Sequence, residues 1–581
     1  MDHKKAISIL YPAGVWPQSR SLSDTSCHDV GLDSLCEELT KNNKERGIIL
    51  SVLRTMTDSP ETAAYRIGVF TDICAFPEMR GRMITLLDQI QFLNDYGSFK
   101  REHDIKSGLW EFMHRLSELN DYISTVEAIM DCLSSCAIQS EGLLALKSYI
   151  KEIYEDSLFD QLKKDIQELN ADTDSLKSVT IGVNLKKSFE VDSIGLISVN
   201  NKEFKSSGIL GNFADALSTR QGIRDGNDWN GNYRFHPIQR NSMDLAAESD
   251  MLGKFTTAMT NPVMAVSMGT STVASVPEKD SSAYMTHYFD KEVSQLLSHL
   301  VKKLEKILSR YVAFSITSIV DLIPEFLYYV RFAEYMEHLK EKGYHFCTPE
   351  VIADPASDGY RMQAKGLYNL KLAASGVVTP SEIVPNDLDF DREHSCYILT
   401  GANRGGKTTI TQAVGLLYVL AQGGISVPAK SFRFAPVDCI YTHYPADEDK
   451  TLDLGRLGEE CRRFKEIYSS GTENSLLLLN ETFSTTSFEE GYYIARDAVK
   501  AILLKNVRTI YNTHMHKLAF DVETLNQEMM DEKGKAASLV AHAEEGNRSF
   551  HISVSAPEGK SYAEDIAVKY GVTYDMLKEN G

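Results

Sequence analysis

The sequence predicts a multidomain protein: a helical body that carries a small strand-containing insertion, followed by a C-terminal α/β domain. Three observations lead there. The chain has 581 residues, enough for several domains at ~150 residues each. Between Glu61 and about Leu169, apolar residues such as Met83, Leu86, Leu87 and Ile90 recur at three- and four-residue spacing, the period of amphipathic helices. From about Gly343, short apolar runs alternate with helical patterns, the mark of an α/β fold with a largely parallel sheet.

The elements follow in order. Residues 1–55 form an N-terminal segment whose early apolar run is cut by Pro12 before it reaches signal-peptide length. Residues 56–175 read as the helical body. Near Val179 the period falls to two, through Val179, Ile181 and Val183 and then Ile194, Leu196 and Val199, which predicts short strands. They open an insertion over 176–282, whose part from Phe204 to Ser282 is rich in Gly, Ser, Thr and Asn and reads as loop, partly flexible. Helix returns over 283–345 through Leu296, Leu297, Leu300, Leu304, Ile307 and Leu308. The α/β domain then occupies 346–581, with Cys396–Leu399, Leu476–Leu479 and Thr509–Tyr511 as the expected central strands. No apolar stretch is long enough to span a bilayer, so no membrane partner is expected.

Charge and cysteines narrow the function. Lys plus Arg total 61 and Asp plus Glu total 81, a net charge of −20. That balance argues against a pervasive nucleic-acid coat, which needs cations for phosphates, but leaves room for a local basic track. Lys302, Lys303, Lys306 and Arg310, and more weakly Lys186, Lys187 and Lys202, are candidates for such a track. Solvated helix faces carry the same pattern. Phe326, Tyr328, Tyr329 and Phe332 at helical spacing are expected in a core rather than on a base-stacking platform. The nine cysteines show no paired CxxC motifs, and Cys132 and Cys136 lack neighbours to complete a zinc set. A reducing compartment, the cytoplasm, is expected.

The strongest motif is Gly401-Ala402-Asn403-Arg404-Gly405-Gly406-Lys407-Thr408, which fits G-x-x-x-x-G-K-[ST] between an expected strand and a helical run, Thr409 to Leu420. Glycines let backbone N–H groups turn onto phosphates, and a helix N-terminus adds positive potential. Lys407 is placed to reach the β- and γ-phosphates, and the Thr408 hydroxyl to ligate Mg²⁺. Gly401, Asn403, Gly405, Gly406, Lys407, Thr408 and Thr409 are therefore the expected nucleotide contacts. After the run ending at Leu479 come Asn480 and Glu481, where nucleotide hydrolases commonly place Asp-Glu. Glu481, at a strand's carboxyl end, is the candidate for orienting or deprotonating water; the alternative is a merely solvated acid. Asn480 can hold a magnesium shell through water. His514 follows the third strand as a candidate γ-phosphate contact or a structural hydrogen-bonder.

Taken together, these segments resemble the MutS family, the ATPases of DNA mismatch repair and their relatives. Besides the phosphate loop, Val427-Pro428-Ala429, Pro436-Val437-Asp438 with Ile440-Tyr441-Thr442, Thr485-Thr486-Ser487 with Gly491, and Asn512-Thr513-His514 match the family pattern. Near the end, Gly559-Lys560-Ser561-Tyr562 and Ala567 to Gly571 resemble its closing motif. Leu53 to Pro77 with Arg66, and Phe332 to Pro349, resemble its core and lever helices more loosely. The resemblance implies a helical core/lever body and a P-loop ATPase domain of the ABC type. It also implies a homodimer with composite ATP and Mg²⁺ sites, hydrolysis to ADP and phosphate, and a clamp around DNA. In the family a signature loop from one subunit covers the other's ATP, and the matching positions here are Gly455, Leu457 and Gly458.

Three departures qualify this. The signature stretch Asp453 to Glu460 lacks the family's Ser-Thr, and Asn480 replaces an acid; both predict slow hydrolysis. The helical core also begins within about the first 60 residues, which leaves no room for mismatch-recognition and connector domains of ordinary size. Phe76-Pro77-Glu78 and Phe332-Ala333-Glu334 match the family's Phe-x-Glu wedge by letter but lie in segments that fit the core. A short form without mismatch specificity is expected. The rival is a nucleotide-gated scaffold that binds a protein or a structured nucleic acid with little hydrolysis.

Overall fold

The computed structural model describes residues 7–15, 18–86, 109–173, 177–189, 191–202, 236–237, 297–311, 322–376, 378–391, 393–401, 405–445, 455–544, 547–557 and 574–579. The N-terminal segment is a set of short capped helices. The Ser23 hydroxyl accepts from the Ser26 N–H at 3.0 Å to start α1 (Asp24–Val30). Gly31, at φ +88°, ends α1 and opens α2 (Leu32–Leu39). The Asn42 side chain caps α3 (Asn43–Arg54). β1 (Arg20–Ser21) pairs antiparallel with β2 (Thr55–Met56). α4 (Pro60–Ala75) begins with Ser59 as cap and proline in its first turn.

The middle of the chain contributes α5 (Leu109–Ser134), α6 (Glu141–Tyr154) and α7 (Ser157–Thr173). β3 (Ser178–Leu185) and β4 (Val191–Asn200) form an antiparallel hairpin, to which β5 (His236–Pro237) adds a short third strand. This is the expected change of period near Val179; the rest of the loop expected over Phe204–Ser282 lies outside the described residues. α8 (Ser298–Leu308) buries Leu304, Ile307 and Leu308. Lys303 meets Glu168 at 2.5 Å and Arg310 meets Asp165 at 3.4 Å, so α7 carboxylates face two cations of the candidate basic stripe. In α9 (Ile323–Glu341), Phe326, Tyr328, Tyr329 and Phe332 are buried, and the Tyr328 ring meets Tyr329 and Phe332 edge-on. These aromatics are core.

The chain divides into two compact units, one of Met1–Gln91, Ile129–Lys151 and Ser318–Gly581, the other of Phe92–Ala128 and Glu152–Thr317. In the first, the N-terminal segment, α4 and α9 fold together with the C-terminal domain. Buried polar contacts explain the union. The Arg66 side chain, 1% exposed, donates to the carbonyls of Leu10 at 2.9 Å and Gln422 at 3.1 Å. The Gln422 amide donates to the carbonyls of Thr57 and Val437. Glu325 accepts from the Ser8 hydroxyl at 2.8 Å and the Ile9 N–H at 2.7 Å. A buried donor left unmet costs about 1–3 kcal/mol, so these groups hold distant segments in one arrangement.

The C-terminal domain contains two sheets. A side sheet takes β6 (Glu350–Val351), β7 (Tyr360–Leu367), β8 (Asn386–Asp391) and β10 (Ser431–Phe434) in the order β6-β10-β7-β8. The main sheet takes β9 (His394–Gly401), β11 (Ile440–His443), β12 (Leu476–Asn480), β13 (Arg508–Asn512), β14 (Lys535–Glu544) and β15 (Asn547–Val554), ordered β11-β12-β13-β9-β14-β15. All its pairings are parallel except β14 with β15. The three expected central strands are β9, β12 and β13. The connecting helices include α10 (Lys407–Gln422), α11 (Arg456–Ser470) and α12 (Phe488–Lys505).

The run Leu476–Leu479 is apolar throughout because β12 is covered on both faces. Leu477 and Leu479 join Tyr492, Val499, Ile502 and Leu503 of α12 in one buried cluster. On the other face, a Cβ at Gly415 of α10 would lie 2.7 Å from Leu478 and 3.1 Å from Val30 of α1. Glycine there lets α10 lie close to both. Among the described residues, no helix is long and apolar enough to cross a membrane.

Candidate nucleotide site

The site lies at the carboxyl ends of the parallel strands, where open α/β sheets bind ligands. β9 ends at Gly401, whose φ is +126° and where a Cβ would fall 2.4 Å from the Ala541 carbonyl. Only glycine lets β9 run beside β14 to this point. Residues 402–404, and with them the expected contact Asn403, lie outside the described residues. Gly405 is buried, and Gly406, at φ +90°, starts α10 without a side-chain cap. Helix N-termini of this kind present backbone N–H groups to anions.

A cavity of about 670 Å³ opens there, and its lining includes Gly406, Lys407, Thr408, Thr409, Glu481 and His514. Lys407 is 5% exposed and donates to the Gly401 carbonyl at 3.0 Å. Burial lowers the pKa of its ammonium group, an effect that Glu481 opposes. The Thr408 hydroxyl donates to Asn480 Oδ1 at 3.3 Å and receives Asn512 Nδ2 at 3.4 Å. Asn512 Nδ2 also donates to Asn480 Oδ1, its register partner across β12 and β13. Glu481 sits at φ +53°, its N–H held by the Asn512 carbonyl at 2.9 Å. Non-glycine residues occupy that region at a cost, and such positions cluster at functional sites. Glu481 Oε1 lies 2.9 Å from His514 Nε2, with the carboxylate 19% and the imidazole 51% exposed.

The lining also includes the apolar side chains of Leu372, Ile383, Ile410, Ala413 and Phe550, and the Phe550 ring lies 3.6 Å from where a Cβ at Gly406 would fall. Asn386 fixes Phe550 there, accepting the Ile552 N–H at 2.6 Å and donating to the Phe550 carbonyl at 3.1 Å. Phe550 itself has φ +54° and is 45% exposed. No sequence signal marks Ile383, Asn386 or Phe550, because their proximity comes from the side sheet and the β14–β15 hairpin meeting.

Gly455 caps α11 through its backbone alone. Gly458 lies in the first turn, while Leu457 packs partly buried against the cluster beneath α12. The stretch 446–454 before them and the segment 558–573, which holds the closing motif, are outside the described residues.

A mainly parallel, doubly covered sheet with a strand–glycine loop–helix element and a polar strand-end cluster defines the class of α/β domains that bind ligands at strand ends. Residues 397–578 match the family model of MutS domain V. Endonuclease MutS2 of Lactococcus lactis subsp. cremoris (strain MG1363) is 29% identical over 201 residues, 34% of this chain and 25% of that protein. DNA mismatch repair protein MutS of Thermus aquaticus is 30% identical over 198 residues, 34% of this chain and 23% of its own length. Probable DNA mismatch repair protein Msh6 of Drosophila melanogaster is 32% identical over 174 residues, 30% and 14% of the two chains. The C-terminal domain thus matches MutS domain V, and the likeness to these relatives is confined to about a third of the chain. It spans about a quarter or less of the length of these relatives.

Proposed function

We propose that the chain is an ATPase that hydrolyses ATP to ADP and phosphate. One observation carries this reading: Lys407, Thr408, Glu481 and His514, from three separate segments, line a single cavity. Triphosphate at the start of α10 would meet its backbone N–H groups and the Lys407 ammonium. The apolar part of the lining, with Ile383 and Phe550, suits the flat face of a base. Glu481 would polarise the attacking water, and His514, 2.9 Å from it, would hold that carboxylate in place beside the γ-phosphate.

Among the described residues, no group of three or more His, Cys, Asp or Glu side chains could hold a metal. The pair of Thr408 Oγ1 and Asn480 Oδ1, 3.3 Å apart, fits a Mg²⁺ that brings phosphate and water oxygens with it. Thr408 would ligate the ion directly and Asn480 through water. The ion would neutralise charge on the phosphates, while Asn480, lacking the charge of an acid, would hold its shell less firmly.

A homodimer completes the site in this reading. The first turn of α11, with Gly455 and Gly458, would offer backbone N–H groups to the partner's γ-phosphate, leaving Leu457 in its own core. Closure would act through the helical body on a clamp that binds DNA without mismatch preference, in the cytoplasm. The second reading, a nucleotide-gated scaffold with little hydrolysis, is favoured by the two departures at Asn480 and at the hydroxyl-free start of α11.

Steady-state turnover of the purified chain tests the first reading, and Mg²⁺-dependent release of phosphate is expected. Tight ATP binding without turnover would establish the scaffold instead. Mixing Lys407→Ala and Gly458→Trp chains, each inactive alone, should restore part of the activity by leaving one intact composite site. No recovery, with heterodimers formed, would contradict sharing between subunits.

A further inference from the structure

Behind the strand ends, away from the cavity, a buried imidazole joins two segments that the proposed reaction needs. His443 closes β11 opposite Leu479 of β12 and is 1% exposed. Its Nε2 lies 3.3 Å from the Glu460 carbonyl in α11, and its Nδ1 lies 3.1 Å from the Thr482 hydroxyl. A carbonyl only accepts, so Nε2 carries the proton and Nδ1 of the neutral ring accepts from Thr482. Burial, reinforced by the Arg463 charge, lowers the imidazole pKa to about 4, which keeps the ring in this neutral form.

Thr482 is the residue after Glu481, is fully buried, and stands between two left-handed residues, Glu481 at φ +53° and Phe483 at φ +65°. Its carbonyl accepts from the Tyr511 hydroxyl at 2.9 Å. The bracket is doubled nearby, where the Thr485 hydroxyl donates to the Glu460 carboxylate at 3.0 Å. Phe483 packs under Phe464 of α11 with ring centroids 5.5 Å apart.

We propose that His443 is a positioning residue for the hydrolysis reaction, fixing the loop that carries Glu481 to the first turns of α11. This rests on the proposed ATPase and deepens it. α11 is the helix that would contact the partner's nucleotide, and Glu481 serves the chain's own. His443 then makes the placement of one chain's water-polarising acid depend on what its α11 engages. A bracket that only filled space would need shape at these positions but not hydrogen bonds.

The test separates its two ends. Thr482→Val keeps the volume and removes the hydroxyl. His443→Gln can still reach Glu460 but loses the acceptor for Thr482, while His443→Asn keeps that acceptor and loses Glu460. Each should slow single-turnover hydrolysis about tenfold with ATP affinity within about twofold of wild type. The Thr482→Val/His443→Gln double variant should be no slower than Thr482→Val alone, because that change already removes the bond to the imidazole as well as the hydroxyl's 3.4 Å contact with the His443 carbonyl. Unchanged turnover, additive losses, or equal falls in affinity and rate would overturn the proposal.

Amide hydrogen exchange on the full chain without nucleotide gives a readout that needs no activity. Thr482→Val should raise exchange over residues 460–464 of α11, around the Glu460 attachment, where no residue is substituted, as well as at 481–487. A rise confined to 481–487 would overturn the bracket. Absent turnover in the wild-type chain would instead count against the ATPase reading, with the exchange result still deciding the bracket.

Discussion

The two polar sides of the cavity are built by different means. On the side proposed for phosphate binding, Gly405, Gly406, Lys407 and Thr408 are consecutive, and a glycine turn with a helix start fixes their arrangement. On the side proposed for hydrolysis, Asn480 and Glu481 at the end of β12 and Asn512 and His514 at and beyond the end of β13 converge, with His443 of β11 behind them, only because three strands pair in one register. The first side is local chemistry, the second is tertiary structure. Damage to the first should therefore remove binding, and damage to the second should remove rate while binding survives.

The largest effect is expected on the phosphate side. Lys407→Ala should weaken ATP binding at least about a hundredfold, roughly 3 kcal/mol, without lowering the melting temperature, since it deletes a buried charge rather than a packing group. Wild-type affinity in isothermal titration calorimetry would break the distinction at once.

Acid should attack the hydrolysis side. The pKa of His443 is depressed from 6.5 to about 4 by burial and then by Arg463. The unfolded chain therefore takes up this proton first as pH falls. Its contribution to stability is complete above about pH 6.5 and is lost progressively as pH falls through about 4, amounting to roughly 3 kcal/mol. Thermal melts from pH 7 to 4 should fall more steeply for the wild type than for His443→Gln; identical slopes would contradict a neutral buried imidazole.

The smallest effect concerns Asn480. Asp at this position can keep the acceptor that Thr408 and Asn512 use, and it adds charge to the magnesium shell. Asn480→Asp should turn over ATP at the wild-type rate or up to about tenfold faster, a gain of at most ~1.4 kcal/mol. Slower turnover would mean that the amide itself is needed.

The same contrast explains what the sequence made legible. The glycine loop and the runs of β9, β12 and β13 declare themselves because each is contiguous and has its own period. The N-terminal docking does not. The Asp29 carboxylate accepts from the Thr442 hydroxyl at 2.6 Å, and its carbonyl from Gln412 at 2.8 Å. α1 has seven residues, too few to show an amphipathic period, and its partners lie hundreds of residues away. The side sheet is equally silent, since β7 mixes Arg361, Gln363 and Lys365 with apolar residues and its partners are not adjacent in sequence. His443 stays hidden because a lone histidine after a strand acquires meaning only when Thr482 and Glu460 arrive beside it.

The most direct measurement pairs ATP binding with turnover in one variant, Glu481→Gln. The substitution keeps the side-chain volume and removes the carboxylate that would polarise water. Affinity for ATP should stay within about threefold of wild type, while phosphate release falls at least about a hundredfold. Hydrolysis by Glu481→Gln at the wild-type rate would contradict the assignment of the chemistry to the end of β12.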